Sequence, residues 1–526
     1  MKTLKYIAIA VATVFAAASC VKDLDVTPID PNVKLPEDVL NNQEAFTSLL
    51  AKCYQGLASS SSAGESGDPD IHGVDGGFGQ YLRAVVNMQE LSTDVMTCCW
   101  NDGNLFDIHN MTWNASNEFI LSMYYRIFYQ ISLCNEFIRQ SQKTTIAGYD
   151  LKDQYIAEAR ALRLLSWYHA IDMFGNVPFC DETNTVGSTG GNQILRADLF
   201  NWMEKEAGEL LSSSVLPEPG MNEYGRADKG LVQMILAKLY LNAEIWKGVP
   251  MYDKCAALCE TIIGEYPLHG TYKDLFCADN HLCSANTTYG GDEIIFLSPQ
   301  DGNMLRSYGS TNFLVFASTW SNADAGINMD VTEIGISSGW SGLSLTGTFT
   351  SKFDDTDARA LFYKGVPQYI DYLRNDIGAS NGWKPMKFTN VNHDGSPAQA
   401  QGFVDTDFPI FRSADAYLMY AECAARGSAD ATLGQNYLNA VRNRAGMGTL
   451  ALNLPNVLDE RARELYMEGH RRQDLIRFGL YTSADYVWEF KGGVQAGEGV
   501  DAKYNLFPIT VGDLNANGNL TQNPGY

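Results

Sequence analysis

The segment AEARALRLLSWYHAIDMFGNVP, residues 157–178, constrains the fold more than any other. Ala161, Leu164, Leu165, Tyr168 and Ile171 recur at i, i+3, i+4, i+7 and i+10, which places them on one face of a helix. Glu158, Arg160 and Arg163 fall on other faces. Gly175 follows the periodic run, where a left-handed C-cap belongs, and Pro178 prevents the helix from resuming. A stripe that mixes small alanines with bulky aromatics packs closely on other helices. The segment is therefore expected to be buried scaffold without ligand contact. The same small/large alternation returns in GRADKGLVQMILAKLYLNAEIW and YDKCAALCETIIGEYPL, where it suggests tetratricopeptide-like repeats. Further helical patterns cover 42–58, 117–142, 197–211, 227–246, 254–265, 413–426, 431–445 and 458–478. The expected fold class is mainly α: a tetratricopeptide-like helical-repeat scaffold with loop-rich insertions and a few short strands.

Two stretches interrupt this pattern. Residues 59–79 are rich in Ser and Gly and read as a long loop. From 286 to 408 Gly, Ser, Thr, Asn and aromatics dominate, with a β-like run at 293–297; this is too long for structureless loop in a compact domain. The tail from 504 to 526 is turn-rich. The expected organisation is a single body over 42–526, with helical scaffold at 42–285 and 409–480 and a loop-rich insertion at 286–408. Binding belongs on the loops.

The formal net charge of −24 argues against nucleic acid as a partner, because such a chain repels the phosphate backbone. At the N-terminus Lys2 and Lys5 precede an apolar run, Tyr6 to Ala18, which is an export signal too short to span a membrane. Ala17, Ala18 and Ser19 directly before Cys20 resemble a bacterial lipobox, although Ala17 stands where Leu is usual. Residues 1–19 are thus expected to be a lipoprotein signal peptide, and 20–41 a tether anchored by lipid on Cys20. Each buried methylene of an acyl chain contributes ~0.8 kcal/mol, so two or more chains hold stably. The other cysteines show no zinc spacing and no disulfide framework, and are expected to be buried free thiols.

Several blocks resemble the SusD/RagB family of Bacteroidetes outer-membrane lipoproteins. They are the signal ending in Cys20, AEARALRLLSWYHAIDMFGNVPF, GRADKGLVQMILAKLYLNAEIW, DTDFPIFRSADAYLMYAECAARG, RARELYMEGHRRQDLIRFG and LFPITVGDLNANGNLTQNPGY, and they occur in the family's order from end to end. The resemblance implies an α-α superhelix with four tetratricopeptide-like helix pairs. It also implies capture of glycans at the exterior face of the outer membrane, with the protein acting as a lid on a SusC-like TonB-dependent transporter barrel. In its loops the chain resembles the starch-binding members, whose ligand lies on a shallow aromatic arc. The resemblance places the arc on Trp100 in LSTDVMTCCWNDGN, Tyr308 in DGNMLRSYGSTNFLV and Trp340 in SSGW, with polar positions on Arg83, Asp75 and Asn104. Gly103 competes with Asn104, and Tyr289 with Tyr308.

These residue types suit sugars. Aromatic faces cover the C–H face of a sugar ring, while Arg, Asp and Asn bond its hydroxyl rim. Rings set at angles to one another would follow a curved α-glucan better than a flat chain. A lone Trp is ordinarily a core residue, but Trp100 and Trp340 stand in Asn-, Gly- and Ser-rich segments. Arg83 has a structural ion pair as its alternative role. The resemblance also implies a structural calcium on Asp279, Asp405 and Asp407, since calcium takes oxygen ligands. His281 departs from the acidic residue expected there, and Asp405 and Asp407 have turn capping before Pro409 as their alternative.

Catalysis has no motif in the chain: GxSxG, HExxH and a Walker loop are absent. His470, beside Arg471, Arg472 and Asp474, reads as part of a structural ion-pair network. The leading expectation is a non-catalytic starch or maltooligosaccharide receptor. The alternatives are another glycan or a peptide in the same role, a lipid-anchored glycoside hydrolase, and a barrel-docking subunit with a degenerate site.

Overall fold

The computed structural model describes residues 36–65, 67–100, 102, 104–184, 191–321, 326–371 and 381–526. The signal segment, Cys20 and the first part of the tether lie outside the described residues. The helix expected within 157–178 runs from Lys152 to Met173, beginning more than a turn earlier. Gly175 takes a φ of 70° just beyond it, in the left-handed region where glycine has no Cβ penalty. The chain then turns into strand Val177–Pro178, paired with Gln193–Ile194.

That helix is enclosed on nearly every side, because it packs on Glu118–Lys143, Arg196–Ser212 and Lys229–Leu241 together. Charge is buried along with its apolar faces: Glu158 is 0% and Arg163 1% exposed. Buried charge must be paired. Arg226 meets Glu158 at 2.6 Å, and Arg163 meets Glu206 at 2.9 Å and also Glu182.

Each scaffold helix packs on the next. The order is Glu118–Lys143, Lys152–Met173, Arg196–Ser212, Lys229–Leu241, Tyr252–Glu265, Ser413–Ala425 and Ala431–Arg444. This running stack is what a helical-repeat scaffold requires, and the fold is mainly α with short two-stranded ladders. Tyr252–Glu265 packs directly on Ser413–Ala425, so the chain between them leaves the stack and returns to it. Within that excursion, strands Ile294–Ser298 and Phe408–Arg412 pair antiparallel, and the second runs directly into Ser413–Ala425. A hydrophobic cluster running from Phe46 to Ile509 takes in residues of both the stack and the excursion. The ten cysteines of the described residues are free, and nine are buried. No helix among the described residues is long and apolar enough to cross a membrane.

The pattern over 458–478 does not form one helix. Leu454–Leu465 ends, Met467 and Gly469 take φ of 65° and 83°, and Arg471–Arg477 begins anew. Glu90 meets the new helix at its start, accepting the N–H of Gly469 at 2.7 Å and of His470 at 3.0 Å. An acceptor there satisfies donors that a helix start leaves unpaired. The expected helix over 227–246 likewise divides at Asn242, into Lys229–Leu241 and Ala243–Lys247.

Candidate functional site

An antiparallel ladder between Met96–Cys98 and Leu343–Leu345 joins the N-terminal loops to the insertion. Trp100 follows the first strand and Trp340 precedes the second, so antiparallel pairing delivers both to the same end. Tyr308 precedes helix Ser310–Ser318, which packs on Tyr81–Val86, the helix carrying Arg83. The C-terminal end of Ser310–Ser318 is closed by the tryptophan loop: Trp340 N–H donates to the Phe316 carbonyl at 2.7 Å, and Gly342 N–H to that of Ala317 at 2.8 Å. These are carbonyls that a helix end leaves open.

The three expected aromatics meet. Trp100 and Trp340 lie 6.4 Å apart with their planes at 49°, and Tyr308 lies 5.8 Å from Trp340 at 72°. All three are half-buried. Phe313 and Phe316, both buried, support the tryptophans from below, at 6.1 Å from Trp100 and 5.0 Å from Trp340. The Trp100 indole N–H donates to the carbonyls of Trp340 at 3.3 Å and Ser341 at 3.2 Å, which fixes one ring against the loop bearing the other. Beyond Tyr308 the row continues to Phe403, 5.8 Å away at 31°, with the Arg306 guanidinium 4.9 Å from the Phe403 ring. Phe403 and Arg306 escape sequence reading; their only signal is position in the same Gly- and aromatic-rich insertion.

Arg83 is buried, 7% exposed. Its Nη1 donates to the Gly77 carbonyl at 2.7 Å and to that of Tyr308 at 3.1 Å, and its guanidinium lies 4.3 Å from the Phe313 ring and 5.8 Å from that of Trp100. Among the described residues Arg83 makes no ion pair, and two carbonyls and two rings take its guanidinium instead. Asp75 is exposed, and its Oδ1 accepts the N–H groups of Gly77 at 2.6 Å and Phe78 at 3.2 Å. It shapes the loop whose Gly77 carbonyl Arg83 holds. Asn104 begins helix Leu105–Asn110, and its Oδ1 accepts the Glu118 N–H at 3.4 Å. Its competitor Gly103 lies outside the described residues. Tyr289 does not join the arc; it packs on Tyr224 and His281.

Asp279, Asp405 and Asp407 line one cavity of ≈ 600 Å³. Each carboxylate has other partners. Asp279 is bonded by the backbone and ring of His393. Asp405 accepts the N–H of Gly302 and of Gln399, each at 2.9 Å. Asp407 accepts the Gln300 N–H at 2.7 Å, and burial pushes its carboxyl well up, towards the neutral form. Among the described residues no group of three or more His, Cys, Asp or Glu side chains is placed to hold a metal ion. The residues therefore do not fit the calcium that the resemblance implies. Asp405 and Asp407 instead tie together the loops around 299–302 and 399–407.

A model described as the SusD family matches residues 344–526. Starch-binding protein SusD of Bacteroides thetaiotaomicron is 31% identical over 560 residues, covering 97% of this chain and 96% of that protein. SusD-like protein P25 of Formosa agariphila is 28% identical over 375 residues, covering 64% of this chain and 66% of that protein. Among solved structures, surface glycan-binding protein A from Bacteroides thetaiotaomicron in complex with laminarihexaose superposes with a TM-score of 0.68 at 19% identity, covering 92% of this chain and 99% of that one.

Proposed function

The chain belongs to the SusD family, and from that premise we propose that it is a non-catalytic cell-surface receptor for α-glucan, the material of starch. The observation that carries the reading is the row of rings Trp100, Trp340 and Tyr308, set at 49° and 72° to one another. Flat faces at such angles form a curved apolar surface. A helical glucan presents successive sugar faces along a curve, so several rings stack at once. The name of the relative that is 31% identical, a starch-binding protein, supports the same ligand.

A binding role is supported by where the carboxyls poised for acid chemistry lie. A glycosidase places a carboxyl of raised pKa beside the scissile bond. Burial pushes Glu90 and Asp228 up to about 7 and also raises Asp407, but each accepts scaffold amides: Glu90 those of Gly469 and His470, Asp228 those of Gly220 and Gly230, and Asp407, buried at the cavity wall, that of Gln300. Delivery of the glucan to a SusC-like TonB-dependent transporter and attachment to the outer membrane through lipid on Cys20 belong to the same proposal. They rest on the family blocks and on the small residues preceding Cys20.

Calorimetry with maltoheptaose, with laminarihexaose as the competing glycan, tests the reading. The α-glucan should bind more tightly, and Trp340→Ala should weaken it about thirtyfold, the loss of about 2 kcal/mol typical of a central aromatic anchor. Absence of heat with any α-glucan would overturn the ligand. Unchanged affinity in both Trp340→Ala and Trp100→Ala would overturn the site.

A further inference from the structure

The cavity bounded by Asp279, Asp405 and Asp407 has no role in the arc, yet it has the chemistry of a binding site. Its ≈ 600 Å³ lies within the range of about 300–1,000 Å³ typical of small-molecule sites. Three of its lining rings form a cluster: Tyr289 lies 4.9 Å from Tyr224 at 87° and 4.6 Å from His281 at 54°. Tyr289 is 42% exposed, so part of its surface is open. The Tyr224 hydroxyl is buried and has no hydrogen-bond partner. Burial lowers the pKa of His281, which keeps its ring neutral, with one nitrogen to donate and one to accept.

The rest of the lining chooses among ligands. Gln300, Gln399 and Asn392 offer amide donors and acceptors, while Asp301 and Asp405 offer carboxylates already aimed by backbone N–H groups. The lining contains no Lys or Arg, so an anionic ligand meets only negative charge. Flat rings, amides and oriented carboxylates together match the C–H faces and hydroxyls of an uncharged sugar.

The cavity also connects to the arc through two segments. Gln300 and Asp301 line it a few residues before Arg306 and Tyr308, and Gln399 and Asp405 line it on either side of Phe403. Asp405 ties the segments together through Gly302 and Gln399.

We propose that this cavity is a second carbohydrate-binding site, which takes a short neutral oligosaccharide on Tyr289, Tyr224 and His281. The proposal takes its ligand class from the function given above. A sugar held there would brace the two segments that present Tyr308 and Phe403, so the two sites would communicate through those loops.

The test is calorimetry with maltotriose on the full chain and on Trp340→Ala, Tyr289→Ala and the double variant. Tyr289 is exposed enough that its substitution should leave the fold intact, which circular dichroism checks. The wild type should bind two maltotrioses, each single variant one, and the double variant none. Tyr289→Ala should weaken its own site about tenfold or more, the effect of losing a stacked aromatic face. Binding of one maltotriose, lost in Trp340→Ala and unaffected by Tyr289→Ala, would overturn the second site alone. Binding insensitive to Trp340→Ala but lost in Tyr289→Ala would overturn the arc and leave the second site standing. Absence of heat with both maltotriose and laminarihexaose would overturn both.

Discussion

Arg83 carries its charge into a buried position, and burial lowers its pKa to about 10 although Cys98, Asp102 and Asp75 act to raise it. It remains protonated at neutral pH, and its Nη1 bonds the carbonyls of Gly77 and Tyr308. It thereby sets where the Tyr308 ring stands. Arg83→Met keeps much of the volume but leaves both carbonyls without their charged donor. The expected cost is about 2–4 kcal/mol, read as a lower denaturant midpoint, together with weaker maltoheptaose binding because Tyr308 is released. Unchanged stability would remove this role. That Trp100, Tyr308 and Trp340 share one place was legible through the family resemblance, helped for the two tryptophans by a polar, glycine-rich context unusual for core aromatics. The burial of Arg83 was not legible, since its two acceptors are main-chain atoms and Tyr308 lies 225 positions away. Phe403 offered no pattern at all. Asp279, Asp405 and Asp407 share a cavity, but sequence could not show that backbone amides and His393 already engage them.

At the scale of elements, the site depends on how closely Met96–Cys98 and Leu343–Leu345 bring their flanks together. Cys99 N–H donates to the Gly342 carbonyl at 2.9 Å, one step beyond the ladder. A Cβ on Gly342 would stand 2.6 Å from Cε2 and Cζ2 of Trp100. The indole has little freedom to retreat, because its N–H is held by the carbonyls of Trp340 and Ser341. Gly342→Ala should therefore cost about 1–3 kcal/mol by overpacking. It should also shift tryptophan emission and weaken glucan binding. Gly208→Ala is the control: a Cβ there meets nothing within 4 Å, and on helix Arg196–Ser212 it should stabilise by about 0.5–1 kcal/mol. Equal effects from the two substitutions would contradict the packing argument. The scaffold helices were legible because apolar periodicity is local. The break within 458–478 was not: Glu90 reaches the new helix start from 379 positions away.

The whole molecule is held by buried charge as well as by apolar packing, and this gives its stability a particular dependence on pH. Burial, with Lys238 nearby, lowers His470 to about 3, although Asp415 and Glu468 oppose the shift; burial lowers His169 to about 4 against the pull of Asp172. Unfolded, both would take a proton below their ordinary 6.5. The unfolded chain then binds more protons, so each histidine lowers stability on acidification, by up to about 1.4 kcal/mol per pH unit. Glu90 and Asp228 act in the opposite sense. Burial raises them from 4.5 and 3.8 to about 7, so between those limits the folded chain binds more protons and each raises stability on acidification. From about pH 6.5 to 4.5 these two pairs offset one another. Below about pH 4 the acid pair no longer compensates. Asp474, which Arg461 and Arg477 hold down to about 2 against the cost of burial, then begins to lose its contribution as pH falls. Stability should drop steeply there. Glu90→Gln separates these terms. The amide oxygen still accepts from Gly469 and His470, but its contribution no longer changes with pH. Chemical denaturation of the variant between pH 6.5 and 4.5 should show a downward slope on acidification of about 1.4 kcal/mol per unit relative to wild type. Parallel curves for the two proteins would mean that Glu90 is ionised in the fold and does not oppose the buried histidines.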